Sequence, residues 1–225
     1  MTERPLVSVI MAAFQAEKFL EDAISSVLAQ DYAPFEVVVC DDGSTDRTPE
    51  ILAAHSELRT VRQPNSGAAA ARNAAVAASS GELLAIFDAD DLWPPTRLAV
   101  QADYLVRHPE VGCVLGRQEW INPPPWLTRD AVYGELDGIP LLSAMLRRSV
   151  FDAIGGFDES FTHSEDMDLL FRLRERGIPI EVLPDVVMFR RYHGANLSGS
   201  APETNPLLRS LRQKLERERA ASEGA

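Results

Sequence analysis

The first half of this 225-residue chain is built from short apolar runs that alternate with helix-patterned segments. Residues 6–11, 35–40 and 83–87 are nearly continuous in Val, Ile, Leu and Phe, and residues 59–62 form a weaker run of the same kind. A strand apolar at successive positions is buried on both faces, so the pattern predicts a mainly parallel sheet covered by helices on either side, an α/β fold. The first intervening helix carries Phe19, Leu20, Ala23, Ile24, Val27 and Leu28 at three- and four-residue spacings. The second follows Asp41-Asp42-Gly43-Ser44, with Thr45 or Asp46 as cap and Pro49 in its first turn. The third is Ala-rich, spans 68–78, and follows the breaker Pro64-Asn65-Ser66-Gly67.

Ligands of such sheets bind beyond the carboxyl ends of the strands. Ala12-Ala13-Phe14, Asp41-Asp42 and Asp88-Ala89-Asp90-Asp91 all fall at those ends, so the motifs converge on one edge. Crowded carboxylates at a strand tip repel one another. A divalent cation would turn that repulsion into coordination and could then hold a diphosphate.

The second half is less regular. A helix is expected over 95–106, a strand over 111–115, and a long loop over 117–140 containing Trp120, Pro123-Pro124-Pro125 and Trp126. A short strand at 144–146, a short helix at 149–154, a helix over 165–175 and two strands, 178–183 and 186–192, complete the region. Residues 203–220 carry Leu207, Leu208, Leu211 and Leu215 on one stripe of an amphipathic helix. The expected organisation is a domain over 1–200, with halves at about 5–110 and 111–200, and a C-terminal helix and tail at 201–225.

With 45% hydrophobic residues the chain can bury a sizeable core. Its formal net charge of -12 argues against nucleic acid and anionic membrane surfaces as partners. Cys40 and Cys113 match no zinc spacing and read as reduced core thiols. The N-terminus has no signal-peptide core, and no apolar run approaches the roughly 20 residues of a membrane span. A cytoplasmic protein is expected.

Taken in order, the motifs resemble those of the family 2 glycosyltransferases with a GT-A (Rossmann-like) fold. The matching pieces are Val7-Ser8-Val9-Ile10 with Phe14, the 36–46 segment around Asp41-Asp42-Gly43-Ser44, and Asn65-Ser66-Gly67 followed by Ala71-Arg72-Asn73. Phe87-Asp88-Ala89-Asp90-Asp91, Gly155-Gly156-Phe157-Asp158-Glu159 and Glu165-Asp166 complete the set.

The resemblance implies a metal-dependent, inverting, single-transfer enzyme that uses a nucleotide-sugar donor. It puts Ala12 and Phe14 beside the base, Asp42 as acceptor from a base N–H, and Arg72 near the nucleotide. A carboxylate acceptor suits uracil or thymine, hence a UDP- or dTDP-sugar. The alternative for Asp41 or Asp42 is an Asx-turn, and for Arg72 a guanidinium reaching solvent. By the same resemblance Asp90 ligates Mn2+ or Mg2+, Asp88 contacts the ribose or a metal-bound water, and His193 serves the metal or the diphosphate. Asp91 is expected to cap the next segment.

Asp166 is the implied general base, kept ionised by the helix N-terminus it occupies. Glu165, Gly156 and Trp120 fall on the acceptor side, while Asp168 and His163 read as surface or loop residues. Residues 194–199 could close over the donor. The family's Asn after the first aromatic is Gln15 here, and the Gln-x-x-Arg-Trp signature of processive synthases is absent.

The acceptor could be a sugar, a lipid-linked sugar, a natural product or a peptide. The leucine stripe of the C-terminal helix could dock on its own domain or build a homo-oligomer. Two other functions compete. A sugar-1-phosphate nucleotidyltransferase would need a Gly-rich basic loop after the first strand, which residues 12–18 lack. A non-catalytic transferase-like binding module would have no need of the full carboxylate set.

Overall fold

A computed structural model describes residues 4–123 and 141–193. They form one seven-stranded sheet, ordered β3-β2-β1-β4-β6-β5-β7. The strands are β1 Val7–Ala13, β2 Phe35–Asp41, β3 Leu58–Arg62, β4 Leu83–Asp88, β5 Cys113–Ile121, β6 Met145–Arg147 and β7 Ile180–Arg191. The helices are α1 Leu20–Leu28, α2 Thr48–Ala54, α3 Ala68–Ala77, α4 Arg97–Arg107, α5 Arg148–Ile154 and α6 Glu165–Glu175.

The apolar runs explain the centre. β1 is parallel to both β2 and β4, and Val9, Ile10, Val38, Val39, Leu84 and Ile86 are fully buried. β3 adds a parallel edge that is mostly exposed, which accounts for its weak sequence signal. β6 is antiparallel to both β4 and β5, whereas β5 and β7 are parallel. β4, β5 and β7 therefore point the same way. Their carboxyl ends share an edge with those of β1 and β2, so the mainly parallel α/β sheet is present with one antiparallel insertion.

Three expectations need correction. The loop expected from residue 117 begins later, because residues 117–121 continue β5 and pair with β7. Trp120 is thus a strand residue, half-buried, with the Arg190 guanidinium 4.9 Å from its ring centre. The two strands expected over 178–192 are one strand, β7, whose register slips between Val182 and Val186 and again before Met188. Pro184 lies in that slip; it has no N–H for the ladder and forces the irregularity that mimicked a break. Asp168, expected at the surface, is fully buried and paired with Arg172 at 2.7 Å. Trp126, most of the 117–140 loop, the segment 194–199 and the C-terminal helix over 203–220 lie outside the described residues. No helix among the described residues is long and apolar enough to cross a membrane.

Candidate active site

At the end of β1 the chain turns outward. Ala12 is half-buried and Phe14 is 52% exposed, an aromatic face open to a ligand. Gln15 takes a left-handed conformation, φ 51°. Its side-chain oxygen accepts from the N–H groups of Thr45 and Asp46, and its own N–H donates to the Ser44 hydroxyl. The longer Gln thus straps the β1 turn to the acidic turn after β2.

The two aspartates of that turn divide their work. Asp41 makes the Asx-type bond, accepting from the Ser44 N–H at 2.9 Å, and pairs with Arg62. Asp42 accepts from the Gln63 side chain and from the backbone N–H groups of Ser66 and Gly67. It is buried and orders the loop that starts α3. A carboxylate has about four acceptor positions, so three bonds leave one for a ligand.

α3 then delivers Arg72, which is only 4% exposed, so it does not reach solvent. Its Nη2 donates to Asp88 Oδ1 at 2.7 Å and its Nη1 to Glu165 Oε1 at 2.5 Å. Burial alone would pull its pKa down; Asp88 and Glu165 outweigh that and raise it, so it is a permanent cation. This buried pair of ion pairs joins the tip of β4 to the start of α6. Asp166, the next residue on α6, is half-buried, and its Oδ1 accepts from the Met167 N–H at 2.8 Å. Burial, and then the Glu165 charge, lift its carboxyl above the ordinary range. The helix N-terminus does not set the balance, contrary to the expectation from position alone.

The acidic cluster after β4 is tied down from the far side of the sheet. Leu92 and Phe189 exchange backbone hydrogen bonds, and Asp91 Oδ1 accepts from the Arg191 N–H at 2.8 Å. Asp91 therefore does more than cap a segment: it docks the loop on β7. Ligand atoms of Asp88, Asp90 and Asp91 all lie within 4.8 Å of one another. Burial, and then the neighbouring Asp88 charge, raise the Asp90 pKa against the pull of His193. Burial, Asp90 and Asp88 raise that of Asp91 further.

β7 ends beside this cluster, where His193 Nε2 lies 2.9 Å from Asp90 Oδ2. The imidazole stacks on Phe19 at 4.4 Å, and the Arg191 guanidinium lies 4.8 Å from the same ring. Crowded carboxylates, destabilised in their charged forms, beside one imidazole make a hard donor set that fits Mg2+ or Mn2+.

In the loop after α5, Gly156 takes φ +73°, and a Cβ there would lie 3.0 Å from Asn73 Oδ1. Asn73 holds the adjoining loop, donating to the Phe157 carbonyl and Glu159 and accepting from the Phe157 N–H. Ala12, Phe14, Asp42, Asp88, Asp90 and His193 thus share the carboxyl edge of the sheet, and Arg72 brings Glu165 and Asp166 to it. Trp120 belongs to the β5–β7 pair.

Sequence reasoning gave Asn73 and Phe19 no role. Asn73 was visible as the one amide in an alanine helix. Phe19 was indistinguishable from the other apolar residues of the α1 stripe.

The family model described as glycosyl transferase family 2 matches residues 8–158. The chain is 34% identical over 173 residues to UDP-Glc:alpha-D-GlcNAc-diphosphoundecaprenol beta-1,3-glucosyltransferase WfgD of Escherichia coli, covering 72% of this chain and 66% of that one. It is 27% identical over 206 residues to a chondroitin synthase of Pasteurella multocida, covering 86% of this chain but 21% of the other. The chain thus spans from a fifth to just under two thirds of these relatives.

Among solved structures, TarS of S. aureus in complex with UDP-GlcNAc superposes with TM-score 0.74 at 23% identity, over 87% of this chain and 61% of that one. A mannosyltransferase of Pyrobaculum calidifontis in complex with GDP-Man and Mn2+ gives TM-score 0.65 at 26% identity, over 90% and 59%. The fold is GT-A.

Proposed function

The chain belongs to glycosyl transferase family 2, and from that premise we propose that it moves a sugar from a nucleotide-sugar donor to an acceptor hydroxyl by single, inverting displacement. The observation that carries this reading is the Arg72 bridge, because it links the acidic tip of β4 to the first residue of the helix that carries Asp166. A leaving-group clamp and a base on opposite sides of a sugar are what a single displacement requires.

In this reading Phe14 walls the base and Asp42 offers its remaining acceptor position to a base N–H. Asp166 takes the acceptor proton as the hydroxyl oxygen attacks the anomeric carbon and the bond to the diphosphate breaks. Its raised pKa brings it nearer the operating range of a general base, although transfer from an alcohol must still be concerted with attack. Asp90, with Asp88 and His193, would hold Mn2+ or Mg2+, which when bound supplies charge neutralisation at the departing diphosphate.

A UDP-sugar comes first because the E. coli relative is named for UDP-Glc; the carboxylate at Asp42 would accept from a uracil imide, and equally from the guanine N1–H. The Mn2+ complex of the mannosyltransferase supports a metal, while its GDP-Man shows that the fold also receives guanine. That E. coli relative is also named for a lipid-diphosphate-linked acceptor, so such acceptors come first in any assay.

The test is a screen of UDP-, dTDP- and GDP-sugars with each metal, following release of nucleoside diphosphate. One donor with Mn2+ or Mg2+ should turn over slowly by hydrolysis and faster with acceptor. A saturating nucleoside diphosphate, at about 100 times its dissociation constant, should stabilise the protein by roughly 2.7 kcal/mol. Asp90→Ala should abolish the metal-dependent part of both effects. No melting shift with any nucleotide, with or without metal, would sink the donor-site reading, and release of pyrophosphate would point to nucleotidyl transfer.

A further inference from the structure

We propose that Arg72 and Asn73, adjacent on α3, are positioning residues that fix the start of α6 and the loop at 157–159 against the tip of β4. The proposal rests on the reading of Asp166 as the base, and it differs from a role for Arg72 in gripping the donor.

Both terminal nitrogens of the Arg72 guanidinium are engaged by protein carboxylates, Asp88 at 2.7 Å and Glu165 at 2.5 Å. The cation is buried, and its planar face lies 5.6 Å from the centre of the Phe157 ring. A planar fork held on two sides and packed on a third has one orientation, which a flexible ammonium would not reproduce. Glu165 is likewise buried, and its Oε1 accepts from Arg72. Since Glu165 is the first residue of α6, fixing it fixes Asp166.

Asn73 does the same for the neighbouring loop. Its amide reads the backbone of Phe157 on both sides, donating to the carbonyl at 2.9 Å and accepting from the N–H at 3.0 Å. A second bond from the same nitrogen reaches Glu159 at 2.9 Å. α3 is itself seated at its N-terminus by Asp42, through the N–H groups of Ser66 and Gly67. One short helix therefore connects the residue proposed to meet the nucleotide base with the residue proposed to take the acceptor proton.

The experiment compares Arg72→Gln, Glu165→Gln, the double variant and Arg72→Lys in the full chain, with the folded fraction of each set by its melting curve. Positioning predicts that each single Gln variant loses about 100-fold in kcat, as a misplaced group would. The donor KM should stay within about 3-fold, and the double variant should be no worse than the poorer single, because both break one linkage. Arg72→Lys keeps the charge and should recover only part of the rate. Amide exchange over residues 164–170 should quicken in Arg72→Gln and in Glu165→Gln alike.

A donor KM that rises with Arg72→Gln but not with Glu165→Gln would overturn the proposal in favour of donor contact. Unchanged kcat at equal folded fraction, or unchanged exchange over 164–170, would overturn it as well. If the wild type turns over no sugar nucleotide, the functional reading fails separately, and the exchange result alone still decides whether Arg72 seats α6.

Discussion

The two sides of the sheet are fastened by different prevailing chemistry. Around β1–β3, although Arg62 donates to the Ser44 carbonyl, carboxylates and an amide accept from backbone N–H groups. Asp42 takes those of Ser66 and Gly67, Asp41 that of Ser44, Gln15 those of Thr45 and Asp46, and Glu36 those of Ser80 and Gly81. Around β4–β7, guanidinium groups donate to backbone carbonyls, although Asp91 accepts from the Arg191 N–H. Arg97 serves Ile86, Leu142, Ala144 and Val187; Arg147 serves Leu105, His108 and Val111; Arg172 serves Ile154. Tight turns after parallel strands expose N–H groups, whereas the irregular joins around β6 and β7 strand carbonyls, and each side receives the side chain its orphan groups demand. Arg72 stands between the two systems as a cation held by side-chain carboxylates from both β4 and α6.

The contrast can be broken hardest at Arg97. It is fully buried, stacks 3.8 Å from the Trp93 ring centre, and is the shared donor for β4, β7 and the turn before β6. Burial holds its pKa well below the usual guanidinium range, with the Asp91 charge opposing, and backbone carbonyls accept its N–H groups. Arg97→Ala leaves those carbonyls unpaired and a cavity behind. It should cost on the order of 4 kcal/mol, read as a lower midpoint in urea. A loss under about 1 kcal/mol would show that water replaces the guanidinium and that the β4–β7 side is not held this way.

The counterpart around β1–β3 is Asp42→Asn, which sets an amide against N–H donors. We expect about 2 kcal/mol of destabilisation, with faster amide exchange confined to residues 63–68. Exchange spreading into β5 and β7 would show that the halves do not have separate fastenings.

A smaller effect sharpens the link between them. Burial, then the Glu165 charge, raise the Asp166 pKa. A base must be deprotonated, so activity should rise with pH through that raised value and level off above it. Glu165→Gln removes a like charge and should move this acid limb to lower pH, whatever it does to the plateau rate. The stability linkage has the matching sign. A carboxyl with a raised folded pKa costs stability as pH climbs from the ordinary value through the raised one, and Glu165→Gln should lessen that loss. An acid limb that stays put, or moves up, would contradict the assignment of the charge effect.

How much of this was legible in the sequence follows the same division. β1, β2 and β4 are apolar at nearly every buried position, Ser8 and the strand-end Asp41 apart, and end in small or acidic residues, so both their existence and the edge where their motifs gather could be read from composition and period. β7 was read as two strands because Pro184 and the register slip interrupt its pattern, and only pairing with β5 makes it one. Trp120 was assigned to a loop because β5 outruns its apolar run by several half-exposed residues that are strand only through their partner. Asp168 shows the limit for charge. An acidic residue in the first turn of a helix reads as a favourable surface group, and its burial depends on Arg172 one turn later, a pairing with many exposed look-alikes. At the site, residue types predicted which groups gather at the edge. They could not predict that Arg72 would be consumed by Asp88 and Glu165, since that contact joins residues far apart in the chain.

In the proposed function Asp166 acts on the acceptor while the β4 cluster and Asp42 serve the donor. Asp166→Asn separates them in one measurement: nucleoside diphosphate affinity and transferase turnover on the same folded sample. Affinity should stay within about 3-fold of the wild type, with turnover lower by about 1000-fold, in the range ascribed to a general base. Turnover that survives the substitution would contradict it, and so would a loss of nucleotide affinity as large as the loss of rate.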